Sequence, residues 1–148
     1  MTIYFSDIKQ GATFESLGRT VTETDIVSFA GLSGDFNPLH MDDVWVRENT
    51  AYPRRVAHGL LVLAMGEGLR CPGVDDWQIL AFLEVQRKML KPVFPGDRIH
   101  QVLTVEETRR STSRPEQGVV TVSVEVRNQA GLTVQAGRDI YLVGGDPK

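Results

Sequence analysis

The chain has 148 residues, of which 41% are hydrophobic and 24% are charged, a composition typical of a globular protein rather than a disordered one. This length fits one ordinary domain with one hydrophobic core, and we expect residues 1–148 to form it. The formal net charge of -3 gives no electrostatic basis for binding nucleic acid or an anionic membrane surface. An acidic ligand therefore needs a local basic patch.

The sequence predicts neither a targeting segment nor a reactive cysteine. The first ten residues include Asp7 and lack a positively charged start followed by an apolar core, so no signal peptide is predicted. The longest apolar run, residues 60–65, is too short to span a bilayer. These features favour a cytoplasmic protein.

Cys71 is the only cysteine, which excludes an intrachain disulfide. No flanking charge pattern would lower its pKa, so we expect it to be a packing residue.

A short amphipathic helix is predicted in the first part of the chain. Thr22 can accept a hydrogen bond from the backbone amide near Asp25, as at a helix start. Apolar residues then recur at the spacing of one buried helix face: Ile26, Phe29 and Ala30. Gly31 and Gly34 indicate that this helix ends before Asp35.

An irregular segment and a buried helix follow. Glycine, proline and asparagine punctuate residues 33–55, which we expect to be irregular with at most a short helix around residues 42–48. Stretches of this kind inside a domain are often functional. Residues 57–70 form the best predicted helix, and their apolar character nearly all round predicts burial on most sides. Pro72 and Gly73 are the predicted stop.

The second half of the chain has the alternation of β-strands. Residues 120–126 place valines on one face and polar residues on the other. Residues 132–142 alternate in the same way after a turn at 128–131, which predicts a hairpin. Residues 79–90 and 99–107 are predicted to form a second pair of strands.

With a further strand near residues 11–15, the prediction is an α+β fold with about five mostly antiparallel strands around one long buried helix. The hot-dog arrangement, in which a sheet wraps a central helix, is its simplest form. Because an open sheet has edges to cover, we expect the chain to dimerise.

Three residue types that suit proton transfer lie within six positions, on a loop shaped by glycine and proline: Asp35, Asn37 and His40. Addition of water to a double bond, one reaction of this class, needs one group that takes a proton from water and one that delivers a proton to the substrate. Histidine titrates near neutral pH and suits either task, and an amide can hold the water or the imidazole through its donor and acceptor atoms. The alternative at this point is an Asx-type turn with a structural histidine.

The start of the buried helix is a second candidate feature. Backbone N–H groups at a helix N-terminus have no intrahelical acceptor and carry a partial positive charge. The N–H of Gly59 can therefore serve as an oxyanion hole for the thioester oxygen. The alternative is that His58 and Gly59 only cap a helix and pack against the sheet.

Residues 34–40 (GDFNPLH), 57–60 (AHGL) and 91–97 (KPVFPGD) resemble the MaoC-like, or (R)-specific enoyl-CoA hydratase, family of hot-dog enzymes. The likeness runs from about residue 7 to residue 143, in the family's order and spacing. The resemblance implies syn addition of water to a trans-2-enoyl-CoA, giving an (R)-3-hydroxyacyl-CoA, or the reverse dehydration.

The resemblance also implies roles for individual residues. Asp35 and His40 jointly activate the water and return a proton to C2. Asn37 orients the water or its base, and the Gly59 amide polarises the thioester carbonyl. No metal or redox cofactor is implied, because the thioester itself acidifies the C2 position, and CoA is part of the substrate. The expected assembly is a homodimer or a dimer of dimers.

Candidate substrate contacts are fewer and weaker. The phosphates of CoA call for basic residues, and we expect Arg87 or Lys91 to supply one. Glu67 lies two helical turns after Gly59, where some relatives have a small residue lining the acyl pocket. A buried carboxylate there needs a partner. Otherwise Glu67 faces solvent or selects a polar or branched acyl chain.

Two other functions compete with hydration. A hot-dog acyl-CoA thioesterase would use Glu67 to direct water at the carbonyl carbon, but this leaves Asp35, Asn37 and His40 without a task. A non-catalytic acyl-CoA-binding module is the alternative from a different class. Such modules usually lose the acid/base pair, and both of its members are present here.

Overall fold

The computed structural model describes residues 1–147. Its sheet has six antiparallel strands in the order β1-β4-β5-β6-β3, and β2 pairs with β4 off this path. The strands are β1 (Thr13–Glu15), β2 (Arg19–Thr20), β3 (Ile79–Met89), β4 (Arg98–Arg110), β5 (Gly118–Arg127) and β6 (Thr133–Val143). The helices are α1 (Glu23–Ser33), α2 (Pro38–Met41), α3 (Asp43–Asn49) and α4 (Gly59–Glu67), with a 3-10 turn at Phe5–Asp7.

The predicted hairpin is confirmed. The other two predicted strands are also present, as β3 and β4, but the prediction that they pair with each other is wrong. β5 and β6 pair directly, but β3 pairs with β6 and β4 pairs with β5. The segment between β3 and β4 therefore joins distant parts of the sheet. It cannot turn tightly, because it packs across the start of α4: Val93 is buried and its carbonyl accepts a hydrogen bond from the Ala57 amide at 2.8 Å.

The first helix begins and ends where the sequence predicts. The Thr22 hydroxyl accepts from the Asp25 amide at 3.1 Å, and the Asp25 carboxylate accepts from the Thr22 amide at 2.9 Å. This reciprocal pair satisfies two backbone donors at the helix start. At the other end Gly34 has φ 81°, a left-handed conformation that glycine adopts without steric cost. The chain changes direction at Gly34, and Asp35 is the first residue after this turn.

The segment at residues 33–55 is more ordered than expected. It contains two short helices, α2 and α3, rather than at most one. Their first turns are capped by Asn37, which accepts from the Leu39 amide, and by Asp42, which accepts from two amides of α3. Both side chains satisfy orphan backbone donors, so a run of turn-forming residues becomes two capped helices.

Helix α4 is shorter than predicted, with nine residues, and the prediction of burial on most sides is wrong, because Leu60 is 63% exposed and Ala64 is also exposed. It ends at Gly68, before Pro72 and Gly73. Its apolar side chains pack against the valines on the inner face of the sheet, and together they form the core. The α4 residues in this core are Leu61, Val62 and Met65, and the valines of β5 are Val120, Val122, Val124 and Val126. Over residues 1–147, none of the helices combines the length and hydropathy needed to cross a bilayer.

Cys71 has the predicted packing role, and we expect its thiol to be unreactive in the folded protein. Its exposed fraction is 4%, and burial, with the negative charge of Asp75, raises the pKa of the thiol to about 11. At pH 8 roughly one thiol in a thousand is then ionised, since each pH unit below the pKa lowers that fraction tenfold.

Ellman's reagent tests this expectation, because the chain has no other cysteine. At pH 8 the folded protein should react at least tenfold more slowly than the urea-unfolded protein, which supplies the one-equivalent control. The rate on the folded protein should rise with pH up to the pKa of the thiol, about 11. Equal rates for folded and unfolded protein would contradict the buried position.

Candidate active site

The loop after α1 is built by short-range hydrogen bonds. The Asn37 side chain accepts from the Leu39 amide at 2.9 Å, and the Asn37 amide donates to Asp35 Oδ1 at 3.2 Å. Pro38 is the first residue of α2, a position where its missing N–H has no consequence. The Asx-type turn considered above is therefore present, and it orients the Asp35 carboxylate and starts the helix that carries His40.

His40 is held in one tautomer. Its Nδ1 lies 2.6 Å from the Val56 carbonyl oxygen, and because a carbonyl only accepts, Nδ1 carries the proton. Nε2 is then the acceptor, 3.6 Å from Asp35 Oδ2. This separation is longer than a hydrogen bond and suits a water molecule or a reacting atom bound to both groups. The His40 side chain is 11% exposed and that of Asp35 is 50% exposed.

His58 is part of this site, which the sequence analysis did not recognise. Its Nε2 lies 2.9 Å from the Asp35 backbone oxygen, and its ring stacks on the His40 ring with centroids 3.8 Å apart. Phe29 packs edge-on against the other side of the His58 ring, and His58 is 3% exposed. His58 therefore contacts both candidate acid/base residues: it hydrogen-bonds to the backbone of Asp35 and stacks on the ring of His40. The sequence feature that could have indicated His58 is its position next to Gly59.

The Gly59 amide is available to a ligand. Gly59 is the first residue of α4, and across residues 1–147 its N–H has no hydrogen-bond acceptor. Its carbonyl accepts from Gln135 Nε2 at 2.8 Å, which anchors the helix start to β6. A Cβ atom here would lie 3.1 Å from the Met89 side chain. The missing side chain therefore makes room for Met89 as well as for a ligand.

A cavity of about 250 Å³ lies beside His40 and the start of α4. His40 and Gly59 both line it, and the end of β3 with the segment that follows forms the opposite wall. Lys91 lies on this wall and is exposed, so its predicted contact with a phosphate of CoA stays compatible with its position. The buried side chains of Val62 and Gln135 also line the cavity.

The prediction that Arg87 contacts a phosphate is wrong. Its side chain is 1% exposed and points between α4 and the sheet. There it pairs with both oxygens of Asp139, at 2.8 and 2.9 Å, and with Glu67 at 2.6 Å. Sequence alternation alone did not show which face of the edge strand it occupies, because charged residues are usually exposed.

Glu67 has the partners that its position requires. Besides Arg87, it accepts from Gln101 Nε2 at 3.1 Å and from the Tyr141 hydroxyl at 3.2 Å. Burial, together with the negative charge of Asp139, raises the pKa of Glu67 above its ordinary value. The carboxylate is therefore committed to an internal network.

Asp35, His40 and His58 also have the spacing of a metal-ligand set, with one ligand atom from each within 4.8 Å of the others. The donor types suit a divalent transition metal. The Nε2 atom of His58 carries the proton of its hydrogen bond to the Asp35 carbonyl, whereas its buried Nδ1 atom has no hydrogen-bond partner within residues 1–147. Nδ1 is therefore the atom of this ring whose lone pair is free for a ligand.

The chain is similar to a known protein family along most of its length. Residues 7–128 match the family model described as a MaoC like domain. The chain is 36% identical to the (R)-specific enoyl-CoA hydratase of Rhodospirillum rubrum over 105 residues, 69% of each chain. It is 27% identical to the (R)-specific enoyl-CoA hydratase of Aeromonas caviae, covering 84% of this chain and 87% of that relative.

Solved structures give the fold. A structure described as a monoamine oxidase regulatory protein from Archaeoglobus superposes with a TM-score of 0.87 at 37% identity, covering 99% of this chain and 97% of that one. A Mycobacterium tuberculosis protein with a double hot-dog fold has a TM-score of 0.81 at 17% identity, with 99% of this chain and 46% of that one covered, which confirms the hot-dog prediction. The chain therefore belongs to the MaoC-like domain family, among the hot-dog hydratases and dehydratases.

Proposed function

We propose that the protein catalyses the reversible hydration of a trans-2-enoyl-CoA to an (R)-3-hydroxyacyl-CoA. The observation that carries the proposal is the placement of His40 Nε2 3.6 Å from Asp35 Oδ2, beside the free Gly59 amide at the same cavity. The names of relatives support it: (R)-specific enoyl-CoA hydratases and the 3-hydroxybutyryl-CoA dehydratase of Methylorubrum extorquens, which is 35% identical over 108 residues.

In the proposed reaction, water binds between the Asp35 carboxylate and His40 Nε2. Its oxygen attacks C3 while one of its protons moves to this pair. Negative charge develops on the thioester oxygen, where the Gly59 N–H stabilises it. The pair then delivers a proton to C2, so that H and OH are added and the pair returns to its starting state. Because one pair of neighbouring groups serves both C2 and C3, the expected addition is syn.

Asn37 acts in this scheme as a positioning residue. Its side-chain oxygen is engaged with the Leu39 amide, and its backbone amide holds the Asp35 carboxylate. We therefore infer that Asn37 orients the Asp35 carboxylate rather than the water. The reaction needs no metal or redox cofactor, because the thioester carbonyl acidifies C2 and the oxyanion is held by an amide.

We further propose that the enzyme is a homodimer that pairs through β3, the edge strand beside β6. An exposed edge with apolar side chains favours association with a second copy. Six such residues of β3 are between 42% and 53% exposed: Ile79, Leu80, Phe82, Leu83, Val85 and Met89. Lys91 follows this strand, and we keep it as the candidate contact to a phosphate of CoA.

The competing thioesterase mechanism has less support. It requires a carboxylate on α4 that is free to direct water, and the Glu67 carboxylate is bound by Arg87, Gln101 and Tyr141. The geometry offers no equally placed alternative near Gly59 on that helix, since its first two turns carry only apolar side chains.

The absorbance of the enoyl-thioester tests the proposal with crotonyl-CoA as substrate. We expect the absorbance to fall without release of a free thiol, and the product to be the 3R isomer. Thiol release would support the thioesterase, since it requires cleavage of the thioester. Binding of crotonyl-CoA with no loss of absorbance would support the non-catalytic module.

The role of His58 gives a separate prediction. His58→Leu removes both the hydrogen bond to the Asp35 backbone and the polar stacking partner of His40, and a displacement of catalytic groups by about 1 Å costs on the order of a hundredfold in rate. We expect kcat to fall by tenfold to a hundredfold on this basis, with a smaller change in KM. His58→Gln retains an N–H donor and should recover part of the loss. Equal kcat values for His58→Gln and His58→Leu, or an unchanged kcat in His58→Leu, would contradict the role.

A further inference from the structure

A buried glutamine forms part of the cavity wall. Gln135 of β6 lines the cavity and is 2% exposed. It lies opposite Met89 in the pairing of β3 with β6, and the hydration chemistry proposed above uses neither polar atom of its side chain. A buried amide is stable when its donor and its acceptor are both paired. Each end of this amide therefore requires a partner.

One end of the amide is paired and the other is not. Nε2 of Gln135 donates to the Gly59 carbonyl oxygen at 2.8 Å. Because a carbonyl only accepts, this contact fixes which end of the amide faces α4. The opposite end, Oε1, is buried and has no hydrogen-bond donor within residues 1–147. A buried acceptor without a donor raises the free energy of the folded protein, and a ligand that supplies the donor removes this cost.

The start of α4 therefore presents two groups of opposite kind that have no partner in the described part of the chain. The Gly59 N–H is a donor without an acceptor, and Gln135 Oε1 is an acceptor without a donor. Oε1 lies beside the same helix turn as the N–H, because it shares a carbon with the Nε2 atom that is hydrogen-bonded to Gly59. A ligand that pairs with both groups carries an acceptor and a donor a short distance apart.

An enoyl-CoA carries this combination. Its thioester oxygen accepts, and its pantetheine arm has an amide N–H only two methylene groups from the sulfur atom. The reaction brings one other donor close to the thioester, the hydroxyl group formed at C3. That hydroxyl group derives from the water that we place between Asp35 and His40, so the amide N–H remains for Gln135.

We propose that Gln135 Oε1 accepts a hydrogen bond from the pantetheine N–H nearest the thioester, and so positions the thioester oxygen at the Gly59 amide. This inference rests on the proposed hydratase function and adds a substrate-positioning residue to it. The same side chain holds the Gly59 carbonyl, so one amide links the substrate arm to the oxyanion donor. A site built around such a bond rejects analogues that lack the donor, because its buried acceptor is then left unpaired.

Two small thioesters that differ only in this donor test the inference. S-(2-acetamidoethyl) thiocrotonate has the N–H, and S-(2-acetoxyethyl) thiocrotonate has an ester oxygen in its place. We expect kcat/KM of the wild-type protein to be at least tenfold higher for the amide than for the ester. A ratio close to one would overturn the inference. If turnover of the two compounds is too slow to compare, their inhibition constants against crotonyl-CoA give the same ratio.

Gln135→Met tests whether Gln135 is the acceptor, because methionine has no amide oxygen and its sulfur accepts only weakly. Loss of the contact to Gly59 lowers activity on both compounds, whereas loss of the acceptor lowers only the preference between them. We therefore expect the amide-to-ester ratio to fall close to one, and an unchanged ratio in the folded variant would overturn the inference. If this variant does not fold, Gln135→Asn, which withdraws the oxygen by one methylene group, should show the same fall.

Gln101→Met is the matched control. Gln101 is also a buried glutamine, at 4% exposure, but it donates to Glu67 rather than to a group at the cavity. This variant should keep the wild-type ratio, and an equal fall in both methionine variants would overturn the assignment to Gln135. Absence of turnover of crotonyl-CoA by the wild-type protein would instead be a failure of the proposed function. Turnover with no preference for the amide would remove only the role of Gln135.

Discussion

Asp35→Asn and His40→Gln should each lower kcat for hydration of crotonyl-CoA by about a thousandfold, in the middle of the range typical of positioned acids and bases. Asparagine keeps an oxygen that can accept from the Asn37 amide but removes the carboxylate charge, and glutamine cannot exchange a proton at neutral pH. Steady-state kinetics would show the loss mainly in kcat. Because the two groups act as a unit, the double variant should lose little more than either single variant.

Asp42→Asn is the matched control for these variants. Asp42 lies in the same segment, and its side chain caps α3, a task that asparagine performs equally well. Its activity should equal that of the wild-type protein, and circular dichroism should show that all the variants are folded. Folded Asp35→Asn and His40→Gln proteins with wild-type kcat would eliminate the pair as the acid and base.

Gly59→Pro should lower kcat by a hundredfold to a thousandfold, the loss typical of a missing oxyanion donor. Proline has no N–H, and the first residue of a helix is the position where the backbone best accepts it. The preceding residue, His58, already has φ -55° and ψ 134°, an extended conformation compatible with a following proline. The substitution therefore removes the donor while keeping the helix start.

Gly59→Ala is its control, because alanine keeps the N–H and adds a Cβ atom that Met89 must accommodate from 3.1 Å. We expect only a severalfold loss of kcat in this variant. Binding of butyryl-CoA, measured by calorimetry, would show whether the proline ring blocks the cavity. Similar kcat values for the proline and alanine variants, with binding retained, would contradict an oxyanion role for the Gly59 amide.

Local features of the fold were predictable because they are encoded within a few residues. The capping box at Thr22 and the glycine at position 34 set the limits of α1, and the alternating valines of β5 define its buried face. Strand partners depend on distant contacts instead. The pairing of β3 with β6 joins residues about 50 positions apart, and periodicity along the chain does not contain it.

The candidate site likewise combines residues that the local sequence indicates with residues that only the fold brings together. Asp35 and His40 are close in sequence, and a capped turn brings them together, so their residue types and spacing were informative. His58 approaches them from 18 positions beyond His40, and only the fold shows its hydrogen bond and stacking. The inward direction of Arg87 is likewise a tertiary property, since it depends on the carboxylates of Glu67 and Asp139.

Hydration of crotonyl-CoA in D₂O tests the central claim most directly, because the neighbouring side chains of Asp35 and His40 must serve both C2 and C3. NMR of the product should show a single 3R isomer with one deuterium at C2, added to the same face as the hydroxyl group. Deuterium on the opposite face, or at both C2 positions, would contradict proton delivery by this pair.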